Sequence, residues 1–246
     1  MSELTVPAPQ PPFRPRLAGV RHIVWDWNGT LFDDAAAVLA ATQDVLAEIG
    51  GPAVDDHTYR TAYTRPVRRT YDRLLGRTVT EAEWERIGAG YLRHYTRHAA
   101  ASGLSADAQE AIALAAGAGL SQSLLSMLTH DLLVDVVARL GLADAGTLVR
   151  IDGWPPGSST YKADHLRVHL AALGLAGSEV ALVGDSLDDL AAAESVGALG
   201  ILYDGGAHHR HALEATGAPV TDTLTAAVDL LRAARSGAAP LTDQAD

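Results

Sequence analysis

The feature that most constrains this chain is a gap between strands. A short β-rich run, His22–Asp26, has no successor until Leu120–Ser126. Three more then follow at close intervals: Thr147–Ile151, Val180–Gly184 and Ala198–Tyr203. Each run is apolar and bounded by glycine or polar residues, as strands are. Helical patterns at Asp131–Leu140, Ala163–Leu173 and Leu187–Val196 separate the last four, and another over 223–234 follows the fifth. Such alternation predicts an α/β fold with a parallel sheet of five or more strands, covered on both faces. A sheet of this kind places its site at the carboxyl ends of its strands.

The gap itself is patterned as helix. Asp34 stands where an N-cap belongs for a helix to Ile49, with Gly50 beyond its end. Thr80 and Glu83 have the spacing of a capping box, opening a helix to Ala99. Pro66 breaks or starts a helix between them. The domains expected are therefore a helical cap over 35–117, inserted after the first strand, and a sheet core made from 19–34 with 118–235. Residues 1–18 read as a proline-rich tail without the apolar stretch of a secretory signal, and 236–246 as a loose tail.

Composition narrows the function. The chain lacks cysteine, which excludes disulfides, thiolate metal sites and cysteine nucleophiles. Its formal net charge of −11 argues against nucleic acid as a partner, because neutralising phosphates supplies most non-specific affinity. No apolar run is long enough for a membrane span. The composition fits a cytoplasmic protein and leaves its oligomeric state open.

Two segments carry the chemistry. The first strand ends in Asp26-Trp27-Asn28-Gly29-Thr30, a carboxylate presented beside backbone amides. The bland alternative is a turn, with Asp26 and Asn28 as turn residues. The fourth strand ends in Gly184-Asp185-Ser186-Leu187-Asp188-Asp189, with Asp189 one helical turn beyond Asp185. Helix capping explains one acid there but does not require three in this order. Ser126 ends the second strand, and Lys162 opens the helix before the fourth. Lys162 is also the only lysine in a chain that otherwise uses arginine.

In this order and placement, the four segments resemble the haloacid dehalogenase-like hydrolase superfamily, in the phosphatase branch with a helical cap after the first strand. The resemblance runs from residue 22 to about 203 and implies a Rossmann-like core. It implies Mg²⁺ as cofactor, a small phosphorylated metabolite as substrate, and hydrolysis through an aspartyl-phosphate. By resemblance Asp26 is the nucleophile and a metal ligand, Asp185 a second ligand, and the backbone carbonyl of Asn28 a third. Asp189 contacts the metal through water and orients Lys162. Ser126 and Lys162 hold the phosphoryl oxygens, beside Gly29 and Thr30. The chemistry is coherent, since a transferring phosphoryl group needs its charge offset and an in-line attack positioned. Mg²⁺ in turn prefers oxygen ligands.

The resemblance is incomplete at Asn28. Phosphatases of this family carry an aspartate there, which protonates the leaving group, and an amide has no such proton. Three outcomes stay open: a substrate with a good leaving group, another proton source such as His130, or slow turnover verging on a phosphate-binding or regulatory protein. A phosphonatase-like C–P hydrolase ranks lower, because it needs a cap lysine and 35–118 has none. Dehalogenase and phosphomutase chemistries are disfavoured by Gly184-Asp185 and by Asn28 respectively. In the cap, Arg60, Arg65, Arg68, Arg69, Arg73 and Arg77 crowd one stretch. Arginine suits bidentate recognition of anions. Arg65, Arg68 and Arg69 are the expected substrate contacts, and the others are expected to be solvated. Tyr63, Tyr71, Trp84 and Tyr91 read as packing residues, and His208-His209-Arg210-His211 as surface histidines.

Overall fold

The structure is a computed structural model that describes residues 19–143 and 146–236. The tails expected over 1–18 and 236–246 lie outside these residues, apart from Ser236. Six parallel strands form one sheet: β1 (His22–Trp25), β2 (Ser121–Thr129), β3 (Leu148–Trp154), β4 (Val180–Gly184), β5 (Leu199–Tyr203) and β6 (Val220–Thr221). Their order is β3-β2-β1-β4-β5-β6. The chain builds outward from β1 to β3, then crosses back to β4 and builds the other way. The reversal between β1 and β4 is the switch point at which such sheets open a crevice.

Side-chain alternation along β1 explains the two layers of core. Ile23 and Trp25 join one buried cluster, with α5 (Ala108–Gly117), α6 (His130–Arg139) and α10 (Leu224–Arg235). Val24 joins the other, against Leu166 and Leu170 of α7 (Lys162–Leu173) and Ala192 and Ala193 of α8 (Leu187–Val196). A strand buried on both faces must be apolar throughout, and His22 at its start is accommodated only by hydrogen bonds described below.

The cap contains α1 (Ala35–Glu48), α2 (Asp56–Ala62), α3 (Arg68–Leu75) and α4 (Glu81–Ala99), around its own core of Val45, Leu46, Tyr71, Leu74 and Ile87. The capping box at Thr80 and Glu83 is formed, and Gly76 closes α3 with positive φ. The boundary expected at 117 differs. Ala108, Ala111, Ile112 and Ala115 of α5 lie in the main core, so the insertion returns earlier. Asp33 N donates to Gly103 O at 3.0 Å and Ser105 N to Leu31 O at 3.0 Å, binding the outgoing and returning segments to each other. Helical periodicity reveals that α5 has an apolar face, but not which body that face meets. β2 also continues past Ser126 to Thr129, so Ser126 lies within the strand.

Candidate active site

Asp26 leaves the end of β1 and Asp185 the end of β4, on neighbouring strands at the switch point. Asp26 N donates to Val183 O at 2.9 Å, which continues the ladder to the point where the carboxylate turns out. Asp189 sits on the first turn of α8. One carboxylate oxygen from each of Asp26, Asp185 and Asp189 falls within 4.8 Å of the others, and all three residues are buried. Lys162, at the first position of α7, donates from Nζ to Asp26 Oδ1 and, at 2.5 Å, to Asp189 Oδ1. Its side chain is only 2% exposed. Asp189 also completes a capping box with Ser186, whose Oγ donates to it at 2.6 Å. The capping and the chemical readings of Asp189 therefore both hold: one oxygen caps and the other grips the lysine.

The electrostatics are unbalanced. One ammonium faces three buried carboxylates. Burial pushes Asp26 up to about 6, with Asp189 adding to it and Lys162 opposing. Burial likewise pushes Asp185 well above its usual range, and the charges of Asp26 and Asp189 add to the shift. Burial alone would lower Lys162, but Asp189 and Asp26 outweigh it and hold it raised. A buried, oxygen-only donor set with excess negative charge is what a hard divalent cation requires, so these residues fit Mg²⁺.

Two glycines make the approach possible. Gly29 has φ 71°, and a Cβ there would stand 2.5 Å from Asp185 Oδ2. Gly206, on the loop after β5, also meets the Asp185 carboxylate where a Cβ would be, and Ala207 N donates to Asp185 Oδ2 at 2.5 Å. This loop was not among the expected site residues.

The turn after β1 holds a further group. Asn28 Nδ2 donates to Asp34 Oδ2 and to Tyr95 Oη, each at 2.7 Å. Tyr95 Oη donates to Asp34 Oδ2 at 2.7 Å, and Gly29 N donates to Asp34 Oδ1 at 2.8 Å. Ser126 Oγ donates to Asn28 Oδ1 at 3.2 Å. Asp34 occupies the N-cap position of α1 but makes no side-chain capping bond, because its carboxylate is turned to this cluster instead. Burial raises Asp34, against the bonds from Tyr95, Asn28 and Gly29.

The cap covers this floor and leaves a cavity of about 230 Å³. Asp26, Asn28, Gly29, Lys162, Asp185 and Asp189 line it from the core. Thr30 lies behind it, wholly buried, with Oγ 3.3 Å from Asp26 Oδ2. Of the cap arginines, Arg60 and Arg65 line the cavity. Arg60 donates to Asp204 O at 3.2 Å and Gly206 O at 2.5 Å, which seats the cap on the core. Arg65 Nε lies 4.0 Å from Asp188 Oδ2 and is a buried donor without a hydrogen-bond partner. Arg68 and Arg69, expected as contacts, stand elsewhere. Arg68 pairs with Glu81 at 2.5 Å, and Arg69 is exposed.

Tyr71, Trp84 and Tyr91 pack in the cap core, while Tyr63, Tyr71 and Tyr91 also wall the cavity. His130 accepts from Gly153 N at 3.1 Å and does not line the cavity. His208, expected at the surface, is 6% exposed, with its ring 5.3 Å from that of Tyr63 in the seam between cap and core.

The chain belongs to the haloacid dehalogenase-like hydrolase family, whose model matches residues 20–197. Its relatives place it among the phosphoric monoester hydrolases. It is 26% identical to the N-acetylmuramic acid 6-phosphate phosphatase of Pseudomonas aeruginosa, over 72% of this chain and 79% of that one. It is 24% identical to the phosphoglycolate phosphatase of Neisseria meningitidis, over 74% and 79%. The fold matches a haloacid dehalogenase-like protein of Streptococcus pneumoniae with TM-score 0.74 at 16% identity, over 86% of this chain and 98% of that one. No helix among the described residues is long and apolar enough to cross a membrane.

Proposed function

We propose that the chain hydrolyses a small, anionic phosphate monoester with Mg²⁺ as cofactor and Asp26 as nucleophile. The convergence of Asp26, Asp185, Asp189 and Lys162 under an arginine-bearing cap carries this reading. Lys162 holds Asp26 Oδ1, which leaves Oδ2, touched by a long 3.3 Å bond from Thr30, to attack phosphorus. The P–O bond to the leaving group breaks as the Asp26–phosphorus bond forms, and the leaving oxygen takes a proton from solvent water. Water then attacks phosphorus and gives a proton to solvent, the Asp26–phosphate bond breaks, and inorganic phosphate leaves with the carboxylate restored. Mg²⁺, held by Asp26, Asp185 and the backbone carbonyl of residue 28, would offset charge on the phosphoryl oxygens, with Asp189 behind it. Ser126, whose hydroxyl proton goes to Asn28 Oδ1 and which does not line the cavity, would have to turn from that bond to donate to the phosphoryl group.

The cap adds selectivity. Arg65 offers an unused donor on the cavity wall, and the tyrosines give the remainder of that wall an aromatic character. Such a wall fits a compact substrate with a second negative group. The test is phosphate release from a panel of monoesters headed by phosphoglycolate and N-acetylmuramic acid 6-phosphate, with Mg²⁺ and after chelation. Turnover with Mg²⁺ and its loss on chelation are expected. Full activity in excess chelator overturns the metal role, and no release from any ester overturns the reading.

A further inference from the structure

Asn28, Asp34 and Tyr95 form a closed hydrogen-bonded triangle with edges of 2.7, 2.7 and 2.7 Å. Its hydrogens can be counted. The Asn28 amide supplies two, one to Asp34 Oδ2 and one to Tyr95 Oη. The Tyr95 hydroxyl supplies the third, to Asp34 Oδ2. No edge lacks a proton, and none has two. The count also settles the amide's orientation, since a flipped Asn28 would set its Oδ1 against a carboxylate oxygen at 2.7 Å. The fourth bond, from Gly29 N to Asp34 Oδ1, ties the same carboxylate to the backbone of the turn.

We propose that Asp34 and Tyr95 are positioning residues that lock the Asn28 amide and the Asp26–Thr30 turn, so that residue 28 works as a donor matched to a carboxylate at residue 34. The proposal rests on the phosphatase reading for its catalytic consequence, but the lock itself stands on these distances. Asn28 is then an adapted partner and not a lost acid. The amide and the carboxylate form one unit that holds Oδ1 toward Ser126 and sets the curvature of the turn beside the nucleophile. Tyr95 comes from α4, so the cap contributes one corner of the lock and takes part in two of its three edges.

The unit should be exchangeable only as a pair. Asn28→Asp alone removes both amide hydrogens and presses two carboxyl groups together in a buried place. Asp34→Asn alone sets two amides together and leaves a donor unpaired. The double variant, Asn28→Asp with Asp34→Asn, restores every edge with the donor and acceptor exchanged. The experiment is this double-mutant cycle, with Tyr95→Phe alongside, read as kcat, KM and thermal midpoint on whichever panel ester is turned over fastest.

Each single change is expected to lower kcat about tenfold or more with KM within about threefold. The pair is expected to recover at least about tenfold over either single change, in line with the coupling energies of residues in contact. Tyr95→Phe, which keeps the ring, is expected to lower kcat about threefold. An Asn28→Asp enzyme as active as the parent, or a pair no better than the worse single change, overturns the proposal. If no ester is turned over at all, the phosphatase reading fails separately. The thermal midpoints then test the lock alone: additive midpoints across the cycle would sink it.

Discussion

Two polar clusters with buried centres cross the same sheet, and their difference shows what makes a site. At the carboxyl ends of the strands lie Asp26, Asp185, Asp189 and Lys162. At the opposite end, His22 Nδ1 meets Ser121 Oγ at 2.6 Å, and His22 Nε2 meets Ser123 Oγ at 2.7 Å. Ser123 Oγ also meets His169 Nε2 at 2.7 Å, and His169 Nδ1 meets Asp152 Oδ2 at 2.7 Å. Ser123, His169 and Asp152 follow the order of partners used by serine hydrolases. Yet Ser123 and His169 are wholly buried, and a second histidine occupies the same hydroxyl. Every group in this lower cluster has a partner, and none lines the cavity under the cap. The upper cluster has more negative charge than it can neutralise and opens onto a cavity. Charge imbalance with access marks chemistry, whereas satisfied connectivity marks structure.

The largest expected effect is at the upper cluster. Asp26→Asn should lower turnover by about a thousandfold or more, as loss of a nucleophile does. Its circular dichroism spectrum should stay that of the parent. Turnover near the parental rate would remove the covalent step.

The lower cluster should respond in the opposite sense. His169→Ala leaves a cavity in place of a wholly buried ring and takes one partner each from Ser123, which keeps His22, and Asp152, which keeps Arg150, and should cost about 2–4 kcal/mol of stability. Assayed well below its melting temperature, kcat should stay within about twofold of the parent. A large loss of kcat with an unchanged unfolding midpoint would make the lower cluster a site after all.

Acid sharpens the same contrast. Burial, with the nearby charges of His169 and Arg21, lowers His22 to about 4. The unfolded chain therefore takes up this proton first, near pH 6.5. Between pH 6.5 and 4 the unfolded state holds this proton and the folded state does not, so the His22 contribution to stability falls as pH falls; His169, also lowered by burial, acts in the same sense, and the raised carboxyls of Asp26, Asp34 and Asp185 act in the opposite one. The His22 loss is on the order of 2–3 kcal/mol. Asp152 is held below its usual range by Arg150 and His169 against its burial, so its own loss comes at lower pH, outside this window. Denaturant unfolding from pH 7.5 to 4.5 of the parent and of His22→Gln checks this: the stability difference, parent minus variant, should fall as pH falls, and a difference independent of pH would remove the His22 contribution.

The smallest effect separates two cap arginines. Arg65→Ala should raise KM for an anionic ester about tenfold through one lost charge-assisted contact, while Arg69→Ala should leave KM within about twofold. Hydrogen exchange over residues 60–77 with vanadate and Mg²⁺ gives a second readout, with protection expected near Arg60 and Arg65. Equal effects at Arg65 and Arg69 would return the whole stretch to a general basic surface.

Asp26, Lys162, Asp185 and Asp189 could be placed from the sequence alone, because strand ends and helix starts are punctuated by local pattern. A carboxylate at such a boundary points to the crevice whatever the distant chain does. Asp34 was visible in the sequence only as a helix N-cap, and that role accounted for it without the lock. Tyr95 had none: it lies 61 residues from Asp34 and 67 from Asn28. The tertiary structure also decided that α5 packs in the core, that His208 is buried in the seam, and that Arg65 enters the cavity while Arg69 faces solvent. The physical reason is common to these cases. Backbone geometry repeats every two or 3.6 residues and leaves its period in the sequence. The partner of a buried hydrogen bond is chosen by how two bodies dock, and no local period records that choice.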